Sequence, residues 1–171
     1  TEVPQDFAIQ SYKNGENENL EVASGMESAI LEQVDIFKVE STQNTYRYLK
    51  DAVENSGETD TISVIKNTII TENEDVATIP ENKNISLDIN GKILNSSNEN
   101  WITNNGGLNL LDTSEVQGNI NSIETLVLNN ENATLNIENG NVNSIISRNK
   151  KLIVNDGLMN INGGILTLLD Y

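Results

Sequence analysis

The chain contains 171 residues and carries a formal net charge of −16, with no cysteine and no histidine. The missing residue types exclude disulfides, thiolate or imidazole zinc sites and a Ser-His-Asp triad within this sequence. The negative charge disfavours nucleic acid and anionic membranes as partners, because both repel an acidic surface.

Aromatic side chains are scarce in this sequence, which holds one Trp, two Phe and four Tyr. A fold that stacks thin aliphatic layers needs fewer of them than a compact globule does. Apolar runs stay well below the ~20 residues that a membrane span requires. We therefore predict no membrane insertion in this stretch, and the residue types indicate no cofactor.

Residues 1–44 are predicted to form an N-terminal extension or linker that contains one strand. The run from Asn14 to Asn19 is polar and shows no apolar period. Residues 34–39 suit a strand, although a helix over residues 26–34 fits the pattern almost as well.

A short amphipathic helix is predicted over residues 45–55. Leu49, Ala52 and Val53 fall on one face of that helix. Thr45 or its neighbour Asn44 can cap its start, and Gly57 lies where a left-handed residue commonly ends a helix.

From Thr61 onward, pairs of aliphatic residues alternate with Asn and Gly. Alternation with a period of two predicts strands, and the intervening Asn and Gly predict tight turns. Five pairs recur: Ile62 with Val64, Ile85 with Leu87, Leu108 with Leu110, Leu135 with Ile137, and Met159 with Ile161. Their first members lie 23, 23, 27 and 24 residues apart, a spacing typical of a solenoid.

Each repeat holds two further aliphatic sites. The second site comprises Ile69, Ile93, Val116, Val142 and Leu166. The third comprises Val76 with Ile79, Ile102, Leu126 with Leu128, and Leu152 with Val154. Three strands per repeat predict an all-β, right-handed parallel β-helix of about five rungs, which with its capping helix spans residues 45–171. A β-sandwich or another all-β fold is the alternative, whereas the leucine-rich repeat signature is absent.

Glycine and asparagine mark the corners of these repeats. Gly91, Gly140 and Gly164 each follow the first aliphatic residue by a similar short interval. Both residue types suit a corner because they tolerate positive φ angles. Asparagines at successive corners can also form ladders in which each side-chain amide bonds to the next.

One stretch carries a family resemblance. Residues 48–64 read YLKDAVENSGETDTISV, and residues 76–91 read VATIPENKNISLDING. This stretch resembles the entry to the pectin-lyase-like parallel β-helices of bacterial secreted and surface proteins, in which a capping helix leads into the first rung. The resemblance covers residues 46–95. It implies the fold but not the activity, because this scaffold carries lyases, hydrolases, adhesins and stalks.

Four side chains are candidates for ligand binding: Asp88, Trp101, Glu138 and Arg148. Asp88 and Glu138 fall on the outer face of one predicted sheet, two rungs apart, so roughly 10 Å separates their backbones. Such a spacing suits the two acids of an inverting glycosidase. Solvation of the outer wall explains both acids more simply, and Leu111 between them would interrupt a cleft.

The other candidates also have two readings. Arg148 belongs to a basic cluster with Lys150 and Lys151 that can contact an acidic glycan, although a charged turn is the simpler reading. Trp101 either fills the interior or offers a sugar-stacking face, and its neighbour Ile102 favours the interior. Residues 72–75 offer a weak cation site, but the calcium-binding β-roll repeat is absent, and no metal is predicted.

These features favour a non-catalytic module of a secreted or cell-surface bacterial protein, an adhesin-like or stalk domain whose partner is a carbohydrate or a host or cell-surface protein. The alternative is the N-terminal part of a polysaccharide lyase or glycoside hydrolase. The aliphatic pattern of residues 165–171 stops without a capping element. Further rungs or another domain are therefore expected after Tyr171, and end-to-end self-association is expected of the isolated chain.

Overall fold

A computed structural model describes residues 9–13, 16–20, 34–70, 75–139, 141–144 and 151–168, with backbone only for residues 9–13, 16–20, 141–144 and 168. The chain divides into two compact units, Thr1–Gln33 and Val34–Tyr171. In the first unit, strands β1 (Ile9–Lys13) and β2 (Glu16–Leu20) pair antiparallel. The polar run that the sequence analysis assigned to a linker thus contains most of a paired strand, β2. The dipeptide Asn14-Gly15 between the two segments is a hairpin signal that outweighs their polarity.

The second unit is almost entirely β-structure. Its strands are β3 (Phe37–Val39), β4 (Thr45–Tyr46), β5 (Thr59–Val64), β6 (Thr68–Ile70), β7 (Ala77–Ile79), β8 (Asn84–Asp88), β9 (Ile93–Ser96), β10 (Ile102–Asn104), β11 (Gly107–Leu111), β12 (Asn119–Ser122), β13 (Val127–Asn129), β14 (Thr134–Ile137), β15 (Asn141–Ser144), β16 (Ile153–Asn155), β17 (Leu158–Ile161) and β18 (Ile165–Leu168). Its one described helix is α1 (Leu49–Glu54).

From β5 onward the strands form three parallel sheets. Sheet 1 contains β5, β8, β11, β14 and β17; sheet 2 contains β6, β9, β12, β15 and β18; sheet 3 contains β7, β10, β13 and β16. Each strand after β7 pairs in parallel with the strand that lies three positions earlier in the chain. The chain therefore completes four turns of a parallel β-solenoid and begins a fifth, which confirms the predicted fold and excludes the sandwich.

The inward-facing columns of sheet 1 follow the prediction. Their central members are each at most 1% exposed: Ile85, Leu87, Leu108, Leu110, Leu135 and Ile137. The predicted register of the first pair was wrong by two residues. Ile62 lies opposite Leu87 and not opposite Ile85, whose partner is Asp60.

The predicted inward residues of sheet 2 were partly wrong. Ile69, Ile93 and Val116 are 69%, 42% and 72% exposed, whereas Leu94 and Ile120 are fully buried. The second inward position of β9 and β12 is a buried serine, Ser96 and Ser122, so these central strands lack the paired aliphatics that mark sheet 1. Because the corners between sheets 1 and 2 differ in length, counting residues forward from sheet 1 assigns the inward positions of sheet 2 to the wrong alternate residues.

The inward residues of sheet 3 were predicted more closely. Ile79, Ile102, Leu126 and Leu152 are buried as expected. Leu128 lies opposite Thr103 and Val154 lies opposite Leu128, so both belong to the outward-facing row and are only half-buried. The inward row runs instead through Ala77, Ile102, Val127 and Ile153.

The N-terminal end of the solenoid is covered by β3 and α1. Strand β3 pairs antiparallel with β5 and with β4, and α1 buries Leu49, Ala52 and Val53. The helix begins four residues later than predicted, because Thr45 and Tyr46 pair with β3 instead. The expected cap from Thr45 or Asn44 is therefore wrong.

Both ends of α1 are satisfied by residues from the next turn. The Asp75 carboxylate accepts the backbone N–H of Lys50 at 3.3 Å, in the first turn of the helix. At the other end, Lys83 Nζ donates to the carbonyl oxygens of Val53 at 2.5 Å and Ser56 at 2.8 Å. Gly57 is not in the left-handed region. Lys83, in the corner between β7 and β8, thus satisfies the carbonyl groups that the predicted glycine cap was expected to satisfy.

Asparagine ladders connect the turns, although their members lie on strands and not at the corners where they were expected. In the inner ladder, Asn104 donates to Asn129 at 2.7 Å and Asn129 donates to Asn155 at 2.6 Å. Asn104 and Asn129 are fully buried, so these bonds satisfy amides that would otherwise lie unpaired in the interior.

A second ladder runs along the outer face of sheet 1. In this outer ladder, Asn160 donates to Asn136 at 2.8 Å, Asn136 donates to Asn109 at 2.7 Å, and Asn109 donates to Ser86 Oγ at 3.2 Å. The sheet therefore presents a continuous row of amides to solvent.

A pair of leucine truncations tests the register of sheet 1. Leu110 points inward and is 0% exposed, whereas its neighbour Leu111 points outward. We expect Leu110→Ala to lower the free energy of unfolding by about 2–5 kcal/mol, because it leaves a cavity between turns. The matched Leu111→Ala, and Asn109→Ala beside it, should cost far less. Urea denaturation followed by circular dichroism measures the difference, and equal losses for the two leucines would contradict the register.

Candidate functional site

The corners between sheets 3 and 1 alternate in length from turn to turn. Residues 80–83 and 130–133 form four-residue corners, whereas residues 105–106 and 156–157 form two-residue corners. Because the strands on either side keep a fixed spacing, a long corner projects beyond a short one. The wall of the solenoid is therefore recessed at residues 105–106.

This recess is a groove with a volume of about 410 Å³, which we call the corner groove. Gly106 and Gly107 line it at the short corner, and residues 81–84 line it at the long corner below. Glu58 and Thr59 extend it toward the N-terminal end, while Thr134 and Asn136 extend it toward the next turn.

Glycine is required where the long corner packs on the short one. A Cβ atom on Gly106 would lie 2.4 Å from the carbonyl oxygens of both Pro80 and Lys83. The same contact recurs two turns later, where a Cβ on Gly157 would lie 2.4 Å from the carbonyl of Ala133. The close packing of the long corner on the short one therefore depends on the absence of a side chain at these positions.

The charge of the corner groove is negative on balance. Glu58 and Glu81 are exposed at its rim, and their carboxylates can accept hydrogen bonds from a ligand. Among the described residues that line the groove, Lys83 is the one cation, and its ammonium group already donates to α1 carbonyls. The amides of Asn84 and Asn136 add polar groups, and Asn84 Oδ1 accepts a bond from Asn109 at 3.1 Å.

Asp88, a predicted ligand-binding residue, is 5% exposed and holds the corner between sheets 1 and 2. One carboxylate oxygen accepts the backbone N–H groups of Asn90 at 2.9 Å and Thr113 at 3.0 Å. The other accepts the Thr113 hydroxyl at 2.6 Å. Asp112 in the next turn accepts N–H groups from Gly91 and Gly118 in the same manner. Each of these two carboxylates accepts hydrogen bonds from the turn that holds the other, and both side chains are buried.

The structure does not bring the other predicted site residues together. Glu138 is exposed, and its carboxylate accepts the Asn162 amide at 3.0 Å. Asp88 lies opposite Leu111, so a leucine separates the rungs of Asp88 and Glu138, as the sequence indicated. Arg148 lies outside the described residues, as do Glu72, Asn73 and Glu74 of the proposed cation site.

Trp101 is fully buried at the N-terminal end of the solenoid, in agreement with the interior reading of its position. Its ring centroid lies 6.3 Å from that of Phe37. Its indole Nε1–H donates to the carboxylate of Asp75 at 3.3 Å. Burial raises the pKa of the Asp75 carboxyl above its ordinary value, and the bonds from Lys50 and Trp101 only partly offset this. Trp101 therefore packs the cap and is not available for stacking on a sugar.

The described residues hold no group of three or more His, Cys, Asp or Glu side chains arranged to bind a metal ion. Within the same part of the chain, the helical structure lacks the length and apolarity of a transmembrane span.

The corner groove was missed by sequence reasoning. Its one signal in the sequence was the Gly106-Gly107 pair, because a glycine pair at a corner indicates close backbone approach. The spacing of the aliphatic pairs gave no signal, because the repeats that hold the long corner 80–83 and the short corner 105–106 both span 23 residues. Lining residues such as Glu81 are chemically ordinary.

No protein-family model, no curated protein and no solved structure matches this chain.

The contact between Asp75 and Trp101 yields a spectroscopic prediction. Trp101 is the only tryptophan, so its fluorescence reports on the cap alone. We expect its emission to change as Asp75 ionises, with a midpoint above 3.8, the ordinary pKa of an aspartate. The Asp75→Asn variant should show no such transition. A wild-type midpoint at or below the ordinary value would contradict the burial of this carboxyl.

The same substitution should alter the pH dependence of stability. Because the folded pKa of Asp75 is raised, its contribution is fully present below the unfolded pKa and is lost as pH rises through the folded value. Asp60 is the opposite control. Burial acts to raise its pKa, but bonds from Ser41, Gly57 and Thr61 outweigh burial and lower it. The contribution of Asp60 to the free energy of unfolding is therefore present at neutral pH and lost on acidification. Asp60→Asn should change the slope of the unfolding free energy against pH in the direction opposite to Asp75→Asn.

Proposed function

We propose that this chain is a non-catalytic extracellular module that binds a saccharide in the corner groove. The observation that carries the proposal is the groove itself, an open recess of about 410 Å³ lined by carboxylate, amide and hydroxyl groups. Ligand pockets commonly have volumes of roughly 300–1,000 Å³. Sugar hydroxyls both donate and accept hydrogen bonds, so they match a lining that combines amides with carboxylates.

The charge of the groove selects among saccharides. Glu58 and Glu81 are the exposed charges at its rim, and Lys83 is engaged by the carbonyl groups of α1. A uronic acid or a sulfated sugar would meet these carboxylates unpaired, whereas a neutral or amine-bearing sugar would not. The ligand class proposed is therefore a neutral or amino sugar. This differs from the acidic glycan that the cluster around Arg148 suggested.

The engagement of Asp88 favours binding over catalysis. Acid catalysis of glycoside cleavage needs two carboxyl groups that face the scissile bond from opposite sides. Asp88 is buried and holds a corner, while exposed Glu138 lies two rungs away with Leu111 on the rung between. Asp88 and Glu138 instead accept hydrogen bonds from neighbouring turns, which stabilises the wall of the solenoid. A rigid wall is what an adhesin-like or stalk domain needs.

The setting proposed for this module is a secreted or surface-attached bacterial protein of the pectin-lyase-like type. The similarity of residues 46–95 to such proteins supports it, and so does the parallel solenoid that those residues enter. A rigid prism whose outer wall is a row of amides suits display at a surface, where another cell-surface protein is the alternative partner.

Glycan-array binding with charge-neutral variants tests the groove. The array carries neutral hexose, N-acetylhexosamine, hexosamine and uronic-acid oligosaccharides. We expect binding to the neutral or amino sugars, and Glu81→Gln should weaken it roughly tenfold, as expected for loss of a charged hydrogen bond. Glu58→Gln should act in the same direction.

Glu131→Gln is the matched control for this test. Glu131 occupies the second long corner at the position that Glu81 holds in the first, and it is not among the groove-lining residues. Its substitution removes the same charge and should leave binding unchanged. Equal weakening by Glu131→Gln, or preferential binding of uronic acids, would contradict the proposed site.

Incubation with polysaccharides tests the non-catalytic reading. We expect no release of unsaturated or reducing ends from polygalacturonate, alginate or chondroitin. Cleavage that Asp88→Asn or Glu138→Gln abolishes, with the circular dichroism spectrum unchanged, would instead establish a carbohydrate-active enzyme.

A further inference from the structure

Lys83 holds the end of α1 from the next turn of the solenoid. Its ammonium group donates to the backbone carbonyl oxygens of Val53 at 2.5 Å, Ser56 at 2.8 Å and Glu54 at 3.2 Å. An ammonium group has three N–H donors, which matches these three carbonyls in number. The acceptors lie at the end of α1 and at the start of the segment that leads from α1 to β5.

The second long corner shows that this lysine is not needed for the shape of its own corner. Ala133 stands there at the position that Lys83 holds in the first long corner. Each corner closes with a backbone hydrogen bond of 3.0 Å from that residue to the first residue of the corner. In each, the carbonyl of that residue accepts an N–H from the next turn at 2.9 Å. The Lys83 side chain therefore acts outside its own corner.

The segment that Lys83 holds carries one of the two acids at the rim of the corner groove. Glu58 lies two residues after Ser56 and is the last residue before β5. Its carbonyl oxygen accepts the backbone N–H of Asn84 at 2.7 Å, and Asn84 directly follows Lys83. The long corner is therefore joined to the Glu58 segment at two adjacent residues, once by a side chain and once by the backbone.

We propose that Lys83 is a positioning residue that places the Glu58 carboxylate at the corner groove. The inference rests on the function proposed for the groove, and it makes the end of α1 part of the binding site. Because Lys83 gives its donors to backbone carbonyls, it directs Glu58 without pairing with the Glu58 carboxylate. Glu81 does not need this lysine, since it belongs to a corner whose shape the backbone sets.

The geometry of the ammonium group, and not its charge alone, suits the end of α1. Three carbonyls converge on one nitrogen atom. A guanidinium group is planar and spreads its donors over three nitrogen atoms, so it cannot reproduce this arrangement. We therefore expect Lys83→Arg, which keeps the charge, to affect the groove as Lys83→Ala does.

A double-mutant cycle measured by titration calorimetry tests the inference, with hexosamine and neutral hexose oligosaccharides as the two probes. Glu58→Gln and Lys83→Ala should each weaken binding roughly tenfold. In the Lys83→Ala background, Glu58→Gln should have no further effect, because Glu58 is no longer held at the groove. Glu81→Gln should weaken binding roughly tenfold in both backgrounds, whereas a general loss of structure would abolish its effect as well.

Lys66→Ala is the matched control for the loss of a lysine. Lys66 lies in the corner between β5 and β6 and is not among the described residues that line the groove. Its substitution should leave the affinity unchanged. Additive losses for Lys83→Ala and Glu58→Gln, or wild-type affinity in Lys83→Arg, would overturn the inference.

Amide hydrogen exchange followed by NMR tests the positioning without a ligand. In Lys83→Ala the N–H of Asn84 should exchange roughly tenfold faster, because its acceptor Glu58 is no longer held. The N–H of Gly107 donates to the Lys83 carbonyl at 2.9 Å and should keep its protection. Unchanged exchange at Asn84, or equal loss of protection at both amides, would refute the role of Lys83. A wild-type chain that binds neither probe but shows the expected exchange would refute the function proposed for the groove and uphold the placement of Glu58 by Lys83.

Discussion

The stacking of aliphatic side chains between successive turns is the interaction on which the second unit depends. No single turn can bury its own inward residues. Leu110 is shielded from solvent only because Leu87 and Ile137 pack below and above it. Backbone hydrogen bonds between successive turns hold the strands at the spacing of a parallel sheet. Polar groups that the corners carry inward must then bond between turns. The inner ladder and the paired acids Asp88 and Asp112 supply those bonds.

The corners are the part of each turn that stacking leaves free to vary. Strand register is set by the core, but a corner of two or four residues can join the same two strands. Alternation of long and short corners recesses the wall at Gly106 without disturbing the columns inside. The long corner also carries Lys83, which closes α1, and Glu81, which lines the groove. One insertion thus contributes both to the cap and to the candidate site.

The features that the sequence predicted are those that depend on local pattern. Alternating pairs such as Leu135 and Ile137 identified sheet 1, because both inward positions are aliphatic. Sheet 2 was misassigned because a buried serine, Ser96, replaces the second aliphatic residue and leaves Ile93 as the apparent core residue. The role of Asp75 was not predictable, since it caps a helix 25 residues earlier and bonds to Trp101 26 residues later. Long-range partners of this kind follow from the number of residues per turn, which varies with the corners.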